Sequence, residues 1–277
     1  MTTPLPFAGI GELLPSSAES TAFGFTVARL SVGGDWAREV AERRAVAERV
    51  ARAVLGAPQH TVILRFPSEL VELARWEWPA DRRGQHAGTL VYWEDESLDE
   101  PAIPSGLVST VVRNGEQPSS AFVTESLAVF QDSFRSYVNH YSYNREIPSD
   151  IARDGYADWA RRTIADEAGA AVLLREPNGE AIAAATLRLH LDGGGAVAEV
   201  ELASVSHARQ GSGRYRDLWS TIREVARRSG AERLIISTQA SNVRVQRAWA
   251  RLGLVPLATF DTHHVSRRSP TPQGAID

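Results

Sequence analysis

Between Val205 and Trp219 the chain reads V-S-H-A-R-Q-G-S-G-R-Y-R-D-L-W, and this stretch limits the possible folds more than any other. Glycine in a helix interior costs roughly 1 kcal/mol relative to alanine. Gly211 and Gly213 therefore belong to a turn, or to backbone that something must approach closely. Residues 196–205 before them alternate like a strand, and after them Tyr215, Leu218, Trp219, Ile222, Val225 and Ala226 fall at helical spacing. Strand, glycine turn and helix together make a ready anion site. First-turn N–H groups lack internal partners, and the helix dipole favours negative charge there. Arg209, Arg214 and Arg216 stand nearby. The spacing alone also fits a plain connecting loop.

Two series of elements surround this turn. The first, over 1–95, runs as a strand at 23–32, a helix at 35–55, a strand at 60–66, a helix at 68–78 opened by Ser68, and a strand at 88–94. Trp36, Val40, Ala41, Val46, Val50 and Val54 form the apolar spacing of the first helix, with Asp35 placed to cap it. This order predicts a small α/β unit with no evident site, in which Trp76, Trp78 and Trp93 are core. The acidic, proline-containing E-D-E-S-L-D-E-P-A-I-P-S-G (94–106) reads as a linker, taken as 96–106. The second series opens with a strand at 107–113 and helices within 119–140 and 149–167. Strands at 170–176, 181–191 and 196–205 follow, joined by P-N-G-E and D-G-G-G turns as an antiparallel meander. Beyond the glycine turn come a helix at 213–229, a strand at 232–238, a helix at 242–253 closed by Gly253, and one or two strands to 267. Residues 268–277 form a tail. The fold class is mixed α/β, with helices on both faces of a mixed sheet from 107 onward.

At 277 residues the chain suffices for one large or two small domains. No apolar run approaches a membrane span. There is no cysteine, which excludes disulfides and thiolate chemistry and fits a cytoplasmic location. Seven histidines without cysteine or H-x-x-x-H spacing argue for no metal. The net charge of -4 hides an asymmetry. Residues 1–205 carry 18 Arg against 29 acids, whereas 206–268 carry 12 Arg against 4. The basic part either meets an anionic partner or forms the solvated faces of two helices.

The meander, the Q-G-S-G-R-Y turn, the strand R-L-I-I-S-T and the helix N-V-R-V-Q-R-A-W-A-R-L-G-L resemble the GNAT (GCN5-related) N-acyltransferase superfamily in order and spacing. The resemblance covers about 107–267. The wording I-S-T-Q-A-S-N-V-R-V-Q-R-A-W and a Y-x-N-H-Y-x-x-N segment from Tyr137 to Asn144 are most similar to the dTDP-fucosamine-type N-acetyltransferase branch. That branch also carries an N-terminal α/β portion, which implies a smaller, degenerate GNAT-like domain here. The resemblance implies an acyl-CoA (acetyl-CoA) co-substrate, with Gln210, Gly211, Ser212, Gly213 and Arg214 receiving its pyrophosphate. Asn242 and the turn Leu252-Gly253-Leu254 match a later family element, and the resemblance implies that Asn242 and Trp249 also bind the cofactor. Tyr215, however, stands where a small residue is usual.

It further implies that a splayed strand at 201–205, with the backbone of Ala203 and Val205, meets the pantetheine and the thioester carbonyl. Glu199 and Glu201 alternate with Val200 and Leu202, so both project from the face opposite the packed one, and Glu201 is the preferred general base. Position 249, a proton-donating Tyr in many members, is Trp249. Indole donates a hydrogen bond but delivers no proton at neutral pH. His207, His263, His264 and Tyr215 are candidate acids. His140, Asn144 and His263 are candidate acceptor contacts.

The expected activity is acyl transfer to a primary amine of a small molecule, such as an amino sugar or a biosynthetic intermediate. An alternative donor is aminoacyl-tRNA, served by nine arginines between Arg214 and Arg251. A third reading is a ligand-binding module without catalysis.

Overall fold

The computed structural model describes residues 10–33, 40–98, 106–113, 115–135, 137–166, 169–192 and 195–268. The chain begins with β1 (Leu14–Pro15), α1 (Ser17–Phe23), β2 (Val27–Ser31), α2 (Val40–Gly56), β3 (Thr61–Pro67), α3 (Val71–Ala74) and β4 (Arg82–Asp95). It continues with β5 (Val108–Val112), α4 (Ser120–Phe134), α5 (Ser149–Ile164), β6 (Gly169–Arg175), β7 (Ala181–Asp192) and β8 (Gly195–Val205). Last come α6 (Arg214–Arg228), β9 (Arg233–Gln239), α7 (Val243–Arg251) and β10 (Val255–Arg267). Two units follow from the contacts, and both are discontinuous in sequence. The first comprises Met1–Leu90, Asn139–Ile151 and Thr259–Asp277, and the second Val91–Val138 and Ala152–Ala258. Residues 139–151 and 259–267, expected within the domain from 107, thus belong to the first unit.

In the first unit the strand order is β1-β2-β3-β10-β4. The parallel pair β2–β3 needs a crossover, and α2 supplies it. Val46, Val50 and Val54 of α2 bury against Leu30, Val62, Leu64, Phe66 and Val265. Each such side chain contributes about 1.5–3 kcal/mol when fully buried. Asp35 and Trp36 lie outside the described residues. The helix expected over 68–78 is a single turn, α3. Ser68 donates its N–H to the Thr259 carbonyl at 3.0 Å instead of capping a helix. Trp76 and Trp78 pack on the core, and a Cβ on Gly84 would lie 2.2 Å from the Trp78 ring. Tertiary packing overrides helix propensity there.

In the second unit the order is β4-β9-β8-β7-β6-β5. Strands β5 to β8 form the expected antiparallel meander, and α6 links the parallel pair β8–β9. Ser119 caps α4, its hydroxyl accepting from the Phe122 N–H at 3.2 Å. Leu218, Trp219 and Ile222 of α6 and Trp249 of α7 pack on one face of the sheet, and Phe130 of α4 and Ala160 of α5 on the other.

Two expectations are corrected here. Asp95, read as part of the acidic linker stretch, ends β4 beside Glu94, the expected last residue of that strand, and both are buried. Asp95 accepts from Trp219 Nε1 at 2.6 Å and Arg223 Nε at 2.7 Å, and Glu94 pairs with Arg233 at 2.5 Å. Leu202 packs with Ala184 against α4 and α5, whereas Val200 packs towards α6. The cause is a bulge: Thr186 faces Leu202 while Leu187 faces Val200, so Glu201 is the extra residue.

Candidate active site

Beyond the bulge, β8 loses its partner on one side. The β8–β9 register runs from Val197↔Arg233 to Val200↔Ile236 and no further, although β8 continues to Val205 and β9 to Gln239. The β8 edge from Glu201 through Ala203 to Val205 therefore faces a gap with its backbone groups available. Glu201 is half-buried on this edge. Burial pushes its carboxyl pKa up, against the opposing pull of Arg188, whose Nε lies 3.5 Å away. Arg188 also pairs with Asp166, and Glu199 pairs with His190 at 3.0 Å.

After Val205 a 3-10 turn, His207–Arg209, leads into Gln210. His207 is exposed, and its backbone N–H donates to Asp132 Oδ2 at 2.7 Å. Gln210 is held at both ends of its amide: Nε2 donates to the Val205 carbonyl at 3.2 Å, and Oε1 accepts from Arg244 Nη1 at 2.9 Å. Ser212 Oγ donates to the Arg209 carbonyl at 2.6 Å. Gly211 and Gly213 take φ of 83° and 86°, the left-handed region that favours glycine. Gly213 is the N-cap of α6 and offers no side-chain cap, while a Cβ on either glycine meets nothing within 4 Å. The Arg216 N–H is taken by the Gly213 carbonyl at 2.9 Å. The first turn thus presents its remaining N–H groups at an open surface.

The arginines around the turn are less free than their sequence positions suggest. Arg209 pairs with Glu180 at 2.7 Å, and Arg214 with Glu176 at 3.0 Å and Asp217 at 3.1 Å. Among the described residues, Arg216 has no carboxylate partner.

At the end of β9, Asn242 Nδ2 donates to Thr238 Oγ1 at 2.9 Å, and Tyr137 Oη lies 3.3 Å from the same hydroxyl. Trp249 is fully buried, edge-on to Trp93, and its Nε1–H donates to Tyr215 Oη at 2.8 Å. The oversized residue at 215 and the altered residue at 249 thus form one pair. Burial pushes the Tyr215 hydroxyl pKa up. Sequence reasoning singled out both residues but not their contact. It also missed Thr238 and the Arg244 clamp, because neither shows in local periodicity.

His140, Asn144 and His263 belong to the first unit. His140 Nδ1 lies 2.9 Å from His264 Nε2, and both rings are buried. Burial holds His140 well below its ordinary pKa and His264 down at about 4. Asn144 Oδ1 accepts from the Glu146 N–H at 3.0 Å. His263 packs edge-on to Phe66 and His86, and burial lowers its pKa to about 4. Among the described residues no group of three or more His, Asp or Glu could hold a metal ion, and no helix is long and apolar enough to cross a membrane.

Residues 128–254 match the family model described as acetyltransferase (GNAT) family. A comparison with curated proteins finds no match. Among solved structures, a GCN5-related N-acetyltransferase from Kribbella flavida aligns with a TM-score of 0.52 at 18% identity, covering 88% of this chain and 82% of that one. A tandem GNAT protein from the clavulanic acid biosynthesis pathway aligns with a TM-score of 0.54 at 11% identity, covering 88% and 76%. A conserved protein of unknown function from Staphylococcus epidermidis aligns at 0.51 and 14%, covering 87% and 85%. At these identities the likeness is one of fold, and a tandem GNAT neighbour fits a two-unit chain.

Proposed function

We propose that this chain, whose residues 128–254 match the acetyltransferase (GNAT) family model, is an acyltransferase that moves an acetyl group from acetyl-CoA to a primary amine of a small molecule, of the amino-sugar or biosynthetic-intermediate kind. The observation that carries this reading is the uncapped, unobstructed N-terminus of α6 set beside the unpaired edge of β8. The diphosphate of the donor sits on the N–H groups of the Gly211–Tyr215 turn, and its pantetheine arm lies along Ala203 and Val205. A backbone N–H on this edge stabilises the oxyanion that develops on the thioester carbonyl.

Glu201 is the base. Its raised pKa makes it a better proton acceptor than an exposed carboxylate. The amine nitrogen, deprotonated towards Glu201, attacks the carbonyl carbon; the C–S bond then breaks and the sulfur takes up a proton. Trp249 cannot supply that proton, since its only N–H is spent on Tyr215. Tyr215 accepts that bond and keeps its own hydrogen to give; burial raises its pKa, so it is always protonated but donates that proton less readily than an exposed phenol. We assign the acid to Tyr215, ahead of the exposed His207.

Ion pairing favours coenzyme A over an RNA donor. Of the nine arginines from Arg214 to Arg251, five (Arg214, Arg223, Arg227, Arg228 and Arg233) already pair with carboxylates. The test is incubation with acetyl-CoA and a panel of amino sugars and other small amines, read by mass spectrometry. The expected result is an amine heavier by one acetyl group, with stoichiometric release of coenzyme A. Neither product with any amine would overturn the proposal.

A further inference from the structure

The sheet of the first unit has one polar face, and register places its members in rows. Ser31, Arg65 and Thr262 are neighbours across β2, β3 and β10; Arg29, Ile63 and His264 form the next row, and Val27, Thr61 and Ser266 the third. The bond between Thr61 Oγ1 and Ser266 Oγ at 2.9 Å confirms that paired positions share this face. Burying such a face is costly unless its groups are satisfied.

The middle row is covered from above, with only His264 Nδ1 left over. Arg29 grips Glu19 of α1 with Nε at 2.7 Å and Nη2 at 2.6 Å, Tyr141 Oη donates to the same carboxylate at 2.5 Å, and His140 covers His264. The first row is not satisfied. Arg65 Nε and Thr262 Oγ1 are buried without a hydrogen-bond partner, as is Nδ1 of the adjacent His264. Thr262 is 0% and His264 1% exposed. Among the described residues no carboxylate pairs with Arg65. A guanidinium in such a place is normally paired.

We propose that Ser31, Arg65, Thr262 and His264 form a subsite for the carboxylate of a small molecule. The chemistry is that of donors: a guanidinium, two hydroxyls and a ring nitrogen. When His140 Nδ1–H donates to His264 Nε2, His264 Nδ1 carries a hydrogen and becomes the fourth donor. Glu19 and Arg29 cancel and the two histidines are neutral, so Arg65 leaves the cluster with one positive charge. One positive charge suits a carboxylate better than a phosphate, which carries nearly two negative ones. An arginine fork also matches carboxylate geometry. All four residues lie outside the stretch matched by the acetyltransferase model, so the subsite stands independently of the transfer chemistry.

The test is calorimetric titration of the full chain with acetate, glycine, alanine, succinate and benzoate, each beside its primary amide. At least one carboxylate binds, its amide binds at least tenfold more weakly, and Arg65→Met and Thr262→Val each weaken the carboxylate at least tenfold. Retained acetyl-CoA binding and an unchanged circular dichroism spectrum show that the variants are folded. If none of the carboxylates binds, or if folded Arg65→Met binds them like the parent, the subsite is refuted. Should Arg65→Met not fold, the Thr262→Val comparison decides alone.

Discussion

Replacing Gly213 by alanine separates the turn's role as a ligand cradle from its role in the fold. Gly213 sits at φ 86°, ψ −9°, where an L-residue costs roughly 1–2 kcal/mol. Nothing lies within 4 Å of the added Cβ, so backbone strain is the whole internal cost. For a chain of this size that corresponds to a fall in Tm of about 2–8 °C. Gly230, beyond the other end of α6, is the matched control, with φ 82° and nothing within 4 Å. The two variants should lose similar stability by calorimetry. Only Gly213→Ala places a methyl group where the diphosphate must touch backbone, and its affinity for coenzyme A by titration should fall at least tenfold, about 1.4 kcal/mol. Equal coenzyme A affinity in the two variants would mean that the turn is only a structural connector.

Glu201→Gln should lower kcat by about 10²–10⁴ with little change in KM for acetyl-CoA. In the parent enzyme, activity should rise with pH through a limb lying above the ordinary carboxylate range, because the base works unprotonated and burial raises its pKa; the limb should vanish in the variant. Arg223→Met should cost about 3–5 kcal/mol by urea denaturation, because it leaves Asp95 buried without its cation. A change below about 1 kcal/mol would return Arg223 to the pool available for nucleic acid. His263 and His264 are held neutral with pKa near 4, below the value of about 6.5 expected in the unfolded chain. The unfolded state then binds more protons below pH 6.5, so stability should fall as pH drops through that window, by about 2 kcal/mol per histidine at pH 5. His263→Gln should flatten this slope, and a stability curve that is level from pH 7 to 5 would contradict it.

The second unit was legible almost element by element, because its strands alternate, its helices keep an apolar stripe, and glycines punctuate both. What local pattern could not reveal was the bulge. V-E-L reads as simple alternation, and only the pairing of Thr186 with Leu202 shows that Glu201 is an extra residue and that Leu202 changes face. Glu94 and Asp95 begin the acidic run read as a linker, and their burial was not legible because their partners, Arg233 and Arg223, lie far along the chain. The polar face of the first unit failed for a related reason. Arg29 and Ser31, Thr61 and Arg65, and Thr262, His264 and Ser266 each alternate visibly within their strands. Each run alone reads as a wet face, yet Thr61, Thr262, His264 and Ser266 are buried while Arg29, Ser31 and Arg65 are half-buried, and only register together with the cover from α1 and residues 139–144 brings this about.

Titrating acetyl-CoA into the protein across a tenfold range of salt shows whether the α6 N-terminus holds the diphosphate of an acyl-CoA. Saturable binding of one donor per chain is expected. The salt slope should be shallow, because backbone N–H groups carry most of the contact. An aminoacyl-tRNA held by several arginines would instead lose roughly 0.7–0.9 log units of affinity per contact for each log unit of salt. No binding of acetyl-CoA, together with steeply salt-dependent binding of charged tRNA, would contradict an acyl-CoA donor.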